Sequence, residues 1–84
     1  MAAGAADELL NVKGITASFV LFPDGERIII SARSIGSTDV QVILEELGGG
    51  GNAAIAGAQI AGKDMAAVLE ELKKSIELHV SAAP

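Results

Sequence analysis

Ile15-Thr16-Ala17-Ser18-Phe19-Val20-Leu21-Phe22-Pro23-Asp24-Gly25-Glu26-Arg27-Ile28-Ile29-Ile30-Ser31-Ala32-Arg33 is the stretch that decides how this chain folds. Two runs rich in branched and aromatic residues flank Pro-Asp-Gly, the composition of paired strands. Proline presets its own φ and glycine accepts a positive one, so the tripeptide reads as a turn. The stretch is therefore expected to form a β-hairpin, with strands over 15–22 and 26–33. Side chains alternate along a strand. Ile28, Ile30 and Ala32 then share one face, and Arg27, Ile29, Ser31 and Arg33 share the other. Ser31 and Arg33 emerge together near the strand's end.

The segments around the hairpin are read from their periodicity. Residues 3–11 are alanine-rich and read as a short helix. Val40, Ile43, Leu44 and Leu47 fall at helical spacing and form one apolar stripe. Thr38 and Gln41 match a capping box at the start of that helix, and Gly48 suits its C-terminal cap. Residues 54–60 read as a third strand. Asp64 can cap a last helix that buries Met65, Val68, Leu69, Leu72 and Ile76. The order is α-β-β-α-β-α, an α+β fold with α/β-like character: a small mixed β-sheet with packed helices. A helix joining two strands of one sheet favours a right-handed crossover, so the strands on either side of it are expected to pair in parallel.

Between that helix and the third strand stand four consecutive glycines, Gly48 to Gly51, followed by Asn52. Glycine loses more backbone freedom on folding than any other residue. Such a run marks a backbone that needs positive φ, a close approach by another group, or a flexible linker. A capped helix stops directly before the run and a strand-like segment follows it, which favours an ordered tight turn over a tether. Successive glycine N–H groups can form an anion-binding concavity. The run is not a P-loop, because it follows a helix C-terminus and lacks the closing Lys-Ser/Thr. The helix dipole there opposes an anion, so a phosphate needs an added cation. Arg33 is the candidate, since a guanidinium can hold a phosphate bidentately. The alternative for Arg33 is a solvated strand-end charge.

Composition removes several classes of function. The 84 residues are enough for one small domain, and 50% of them are hydrophobic. The net charge is −5, which excludes the broad basic footprint needed for duplex DNA. The aromatics are Phe19 and Phe22, with no Tyr or Trp, too few for a stacking platform along single-stranded nucleic acid. Without cysteine there is no disulfide, thiolate metal site or cysteine nucleophile. The single histidine, His79, has no second metal-type ligand at helical spacing. No apolar run is long enough to cross a bilayer, and the start does not read as a signal peptide. No carboxylate pair or nucleophile–base pair suggests a catalytic centre. The chain alone is expected to hold no catalytic residue, no metal and no cofactor.

Ile30-Ser31-Ala32-Arg33-Ser34, then Asp39-Val40-Gln41-Val42-Ile43, then Leu47-Gly48-Gly49-Gly50-Gly51 together resemble the DHHA1 domain, the C-terminal accessory lobe of DHH-type phosphoesterases. The version it most resembles is that of the membrane-anchored GGDEF/DHH-type cyclic-di-AMP phosphodiesterases. The resemblance implies a domain over 8–80, with 1–7 as an N-terminal extension or linker remnant and 81–84 as a tail. It implies a division of labour. A separate DHH domain, carrying manganese, hydrolyses the substrate, and the DHHA1 lobe closes over it and binds the nucleotide. Carried over by position, the substrate-binding residues are Arg33, Gly49, Gly50, Gly51 and Asn52, with Ser31 and Ser34 beside them. The family's histidine after the glycines is Asn52 here, which cannot carry a proton or a positive charge near neutral pH.

The implied function is the substrate-binding lobe of a bacterial phosphodiesterase acting on cyclic di-AMP. Its partners would be the cyclic dinucleotide or its linear product and the DHH domain of the same parent chain. The domain would be cytoplasmic, in a parent anchored in the plasma membrane. Within the same class, the alternative is a nuclease for short oligonucleotides. From other classes come a non-catalytic nucleotide- or RNA-binding module and a homodimerisation module.

Overall fold

The computed structural model describes residues 8–11, 17–36 and 38–79. Along the chain run β1 (Glu8–Asn11), β2 (Ala17–Asp24), β3 (Arg27–Ser34), α1 (Val40–Glu45), β4 (Gly50–Gly51), β5 (Ile55–Ala61) and α2 (Met65–His79). The strands form one sheet in the order β1-β2-β3-β5-β4, and each neighbouring pair is antiparallel. The fold is α+β, as the sequence led us to expect.

The hairpin forms in the expected place. Leu21 pairs with Ile30 and Phe19 with Ala32, so the alternating apolar residues of both strands meet on one face. Its turn is tighter than the sequence suggested. Pro23 and Asp24 still belong to β2, and the connection is only Gly25 and Glu26.

Three expectations are corrected. Residues 8–11, read as the end of a helix, form strand β1 against β2, with Leu10 opposite Phe19. An isolated helix of this length is marginal in water, whereas the edge of β2 offers a row of unpaired backbone groups. The rest of that expected helix, like the 81–84 tail, lies outside the described residues. Second, the cap of α1 is Asp39 rather than Thr38. Its carboxylate accepts from the Gln41 N–H at 2.9 Å and the Val42 N–H at 3.4 Å. Third, β3 and β5 pair antiparallel rather than parallel. The strand that the crossover reaches is the two-residue β4, which runs in the same direction as β3. β5 then hairpins back and inserts between the two. The crossover rule therefore acts on Gly50–Gly51, residues assigned to a loop in the sequence reading.

Both helices cover one face of the sheet, α1 over β5 and β3, α2 over β2 and against α1. The core between them holds Phe19, Leu21, Ile30, Val40, Ile43, Leu44, Val68 and Leu72, all closed to solvent. Each such side chain contributes about 1.5–3 kcal/mol by leaving water. Asp64 caps α2 as expected, accepting from the Ala67 N–H at 2.9 Å.

The C-terminus of α1 ends in a Schellman arrangement. The Gly49 N–H donates to Leu44 O at 2.8 Å and the Gly48 N–H to Glu45 O at 3.0 Å. Gly48 has φ +86°, the left-handed conformation that this cap needs. The Leu47 N–H donates to Leu44 O rather than to Ile43 O. Ser75 of α2 takes up that carbonyl, its Oγ donating to Ile43 O at 2.7 Å inside the core. Replacing Ser75 by Ala removes this clasp between the helices and is expected to lower stability by about 1–3 kcal/mol. Urea unfolding checks this; an unchanged midpoint would mean that the clasp contributes nothing.

Candidate functional site

With the helices on one face, no described residue covers the other face of the sheet. Reading the registers across it gives rows of side chains that point the same way. One row is Val20, Ser31, Gly57 and Gly50. The next row toward the glycine turn is Ser18, Arg33 and Ile55, continued by Asn52, whose N–H donates to Ile55 O at 2.7 Å. The row on the other side is Phe22, Ile29 and Gln59. An open groove of about 730 Å³ runs over this face, with Phe22, Ile29, Ser31 and Gln59 in it and Gly48 to Gly50 along its side.

The glycine run borders this groove with alternating duties. A Cβ on Gly49 would lie 2.1 Å from Gly57 O and 2.7 Å from the Ala58 Cβ. A Cβ on Gly51 would lie 2.3 Å from Ile55 O and 2.6 Å from the Ala56 Cα, and its φ is +148°. Both positions face the packed side, where β4 presses onto β5. A Cβ on Gly50 would meet nothing within 4 Å, and its φ is not in the left-handed region. Gly50 faces the groove, and nothing among the described residues requires it to be glycine.

The amides of the run are mostly committed. Those of Gly48 and Gly49 close α1. Hydrogen bonding alternates along an antiparallel pair. The Asn52–Ile55 bond makes Gly50–Gly57 the next bonded pair and turns the Gly51 N–H to the sheet's outer edge. The run is thus an ordered edge and turn, with close approach and positive φ as its causes. It is not a cradle of four inward amides.

The turn after the run is tied down on three sides. Asn52 Oδ1 accepts from the N–H groups of Ala54 and Ile55, each at 2.9 Å. Ala53 O accepts from the first N–H of α1 at 3.1 Å, and Ala54 O from the Ser34 N–H at 2.8 Å. The Asn52 amide oxygen is therefore a structural acceptor, and its amide N–H groups are what it offers a ligand.

Among the residues singled out from the sequence, Ser31, Gly49 and Gly50 border the groove, and Arg33, Gly51 and Asn52 lie at its end nearest the turn. Arg33 is exposed, and among the described residues no carboxylate pairs with it. Ser34 is not brought to the groove. Alternation turns it to the opposite face from Ser31 and Arg33, and its Oγ accepts from the Gly36 N–H at 3.3 Å. Phe22, Gly57 and Gln59 were not singled out from the sequence. The signal was available for Gln59, a lone polar residue in a strand of small and apolar ones.

The arrangement offers one cation without a carboxylate partner among the described residues, Arg33, with hydroxyl and amide donors and a side-chain-free floor beside an apolar row, which suits binding better than proton transfer. Among the described residues no group of three or more His, Cys, Asp or Glu could hold a metal ion. His79 pairs with Glu46 at 3.0 Å, on the helix layer and away from the groove.

The profile of the DHHA1 domain matches residues 1–78, and the chain belongs to that family. It is 41% identical over 80 residues to cyclic-di-AMP phosphodiesterase PdeA of Listeria monocytogenes, covering 94% of this chain and 12% of that protein. It is 43% identical over 75 residues to cyclic-di-AMP phosphodiesterase GdpP of Geobacillus thermodenitrificans, covering 88% of this chain and 11% of that protein. With GdpP of Bacillus subtilis it shares 43% identity over 76 residues, 89% of this chain and 12% of that protein. The chain thus spans roughly an eighth of the length of these relatives.

The alternation predicts opposite outcomes for neighbouring glycines. Gly49→Ala should destabilise the domain by more than about 2 kcal/mol, as overpacking and strain do. Gly50→Ala should leave the melting temperature within about 2 °C. Thermal unfolding of the two variants side by side checks this.

Proposed function

We propose that this DHHA1 domain is the substrate-binding lobe of a bacterial phosphodiesterase that hydrolyses cyclic di-AMP. The observation that carries the reading is Gly50, a glycine that no described residue obstructs, facing a groove whose near end carries Arg33, Ser31 and Asn52. A phosphate above Gly50 and Gly57 meets no side chain beneath it. Arg33 supplies the positive charge and a planar fork of donors. Ser31 donates through its hydroxyl and Asn52 through its amide N–H groups. Because Asn52 carries no charge, neutralisation of the phosphate falls to Arg33.

The chain's own part is to hold and orient the phosphate. Hydrolysis belongs to a DHH domain elsewhere in the parent chain, where bound manganese would activate water. No cluster among the described residues fits such a metal centre, and in this reading the lobe contributes binding. The names of the relatives favour cyclic di-AMP over short oligonucleotides as substrate. No helix among the described residues is long and apolar enough to cross a membrane; membrane anchoring is assigned to another part of the parent, with this lobe on the cytoplasmic side. Homodimerisation is a separate proposal, which concentration-dependent sedimentation tests.

Titration of the isotope-labelled chain with the linear diadenylate product, followed by backbone amide shifts, tests the reading. Saturable shifts at Gly50, Gly51 and Asn52 are expected. Arg33→Ala should weaken binding at least tenfold, in line with the loss of a charge-assisted bidentate contact. Shifts unchanged by that substitution would exclude Arg33 as the phosphate ligand.

A further inference from the structure

Phosphate binding at Gly50 leaves the neighbouring row of the groove unexplained. Phe22 and Ile29 are directly opposed on β2 and β3, and Gln59 is directly opposite Ile29 on β5. The chain's other aromatic, Phe19, is fully buried in the core. Phe22 stands on the open face and is half-buried there, as is Ile29. The two side chains form an apolar platform within the same groove as Ser31 and Gly50. Two residues of strand separate this row from the Ser31–Gly57–Gly50 row, about 7 Å at the rise of a strand. That offset suits the step from a nucleotide's phosphate to its base.

Gln59 stands at the end of the platform with its amide orientation set. Its Oε1 accepts from an Arg27 guanidinium nitrogen at 2.7 Å, and Arg27 is itself held by Asp24 at 3.8 Å. One lone pair of Oε1 and both Nε2 hydrogens remain available. A carboxamide in this state presents a donor beside an acceptor. On its N7 edge adenine offers the complement, N7 accepting and N6 donating, whereas the same edge of guanine offers two acceptors, N7 and O6. The geometry points to a purine subsite in which Phe22 and Ile29 carry the ring and Gln59 selects adenine over guanine. The subsite rests on the phosphate position proposed above and gives it a base specificity.

The test is titration of the 84-residue chain with adenosine, AMP, GMP and inorganic phosphate, observing the Phe22 ring and the Gln59 side-chain amide by NMR. AMP should bind roughly 5- to 150-fold more tightly than GMP, the discrimination of one bidentate base contact. Adenosine alone should shift Phe22 and Gln59. Gln59→Leu should abolish the AMP preference and leave phosphate affinity unchanged, and Phe22→Leu should weaken AMP and GMP alike. Equal binding of AMP and GMP, or a preference that survives Gln59→Leu, overturns the assignment. Phosphate shifts at Gly50 with no response of Phe22 to adenosine sink the base subsite alone. Adenosine shifts without any phosphate response sink the phosphate reading alone, and silence toward all four probes overturns both.

Discussion

The close contact between β4 and β5 is the constraint on which the rest depends. Gly49 and Gly51 bring the two backbones nearer than any Cβ would permit. That contact fixes where α1 stops, because the amides of Gly48 and Gly49 close its last turn. It also sets the turn at 52–54, whose carbonyls hold the start of α1 and the end of β3. Helix, hairpin and strand end are joined at one corner by main-chain bonds that stand whatever the neighbouring side chains do. The groove inherits its shape from that corner. The proposed ligand would meet a surface already ordered, which lowers the entropy lost on binding.

The sheet's two faces separate the packed core from the proposed binding surface. The helix-covered face carries the apolar residues that drive folding, and little on it is polar except Ser75, whose hydroxyl is satisfied. The open face mixes apolar, hydroxyl and charged positions on β2 and β3 with small residues and Gln59 on β5. This is the pattern of an antiparallel sheet with one wet side. The same alternation that buries Ile28, Ile30 and Ala32 exposes Ile29, Ser31 and Arg33, so the groove's composition follows from the core's.

Much of this was legible in the sequence where the signal is local. The hairpin, the stripe of α1, the cap of α2 and the left-handed Gly48 all follow from periodicity and turn chemistry within a few residues. What escaped depends on contacts distant in sequence. Glu8–Asn11 becomes a strand because β2 has an edge to fill, a fact that its own residues do not contain. Gly50–Gly51 reads as a loop from composition, since glycine is a poor strand former, and becomes a strand because β5 lies beside it. At the site, Ser31 and Arg33 could be placed on one face by counting, whereas Ser34 is withdrawn by that same count and Gln59 comes into view only when β5 is set beside β3. The chemistry expected of the glycines also changed. The amides of Gly48 and Gly49 are engaged in closing α1, that of Gly51 turns to the outer edge, and what Gly50 offers at the groove is vacant space.

The alternation within the run has a consequence for insertions and deletions. Adjacent residues of a strand look in opposite directions, so adding or removing one residue exchanges the two sets. A run shortened or lengthened by a single glycine would remain equally rich in glycine. Asn52 would nevertheless move out of register with its turn, and the residue that meets Ala58 would be a different one. The stretch thus encodes a parity: its information lies in the number of its residues as much as in their identity.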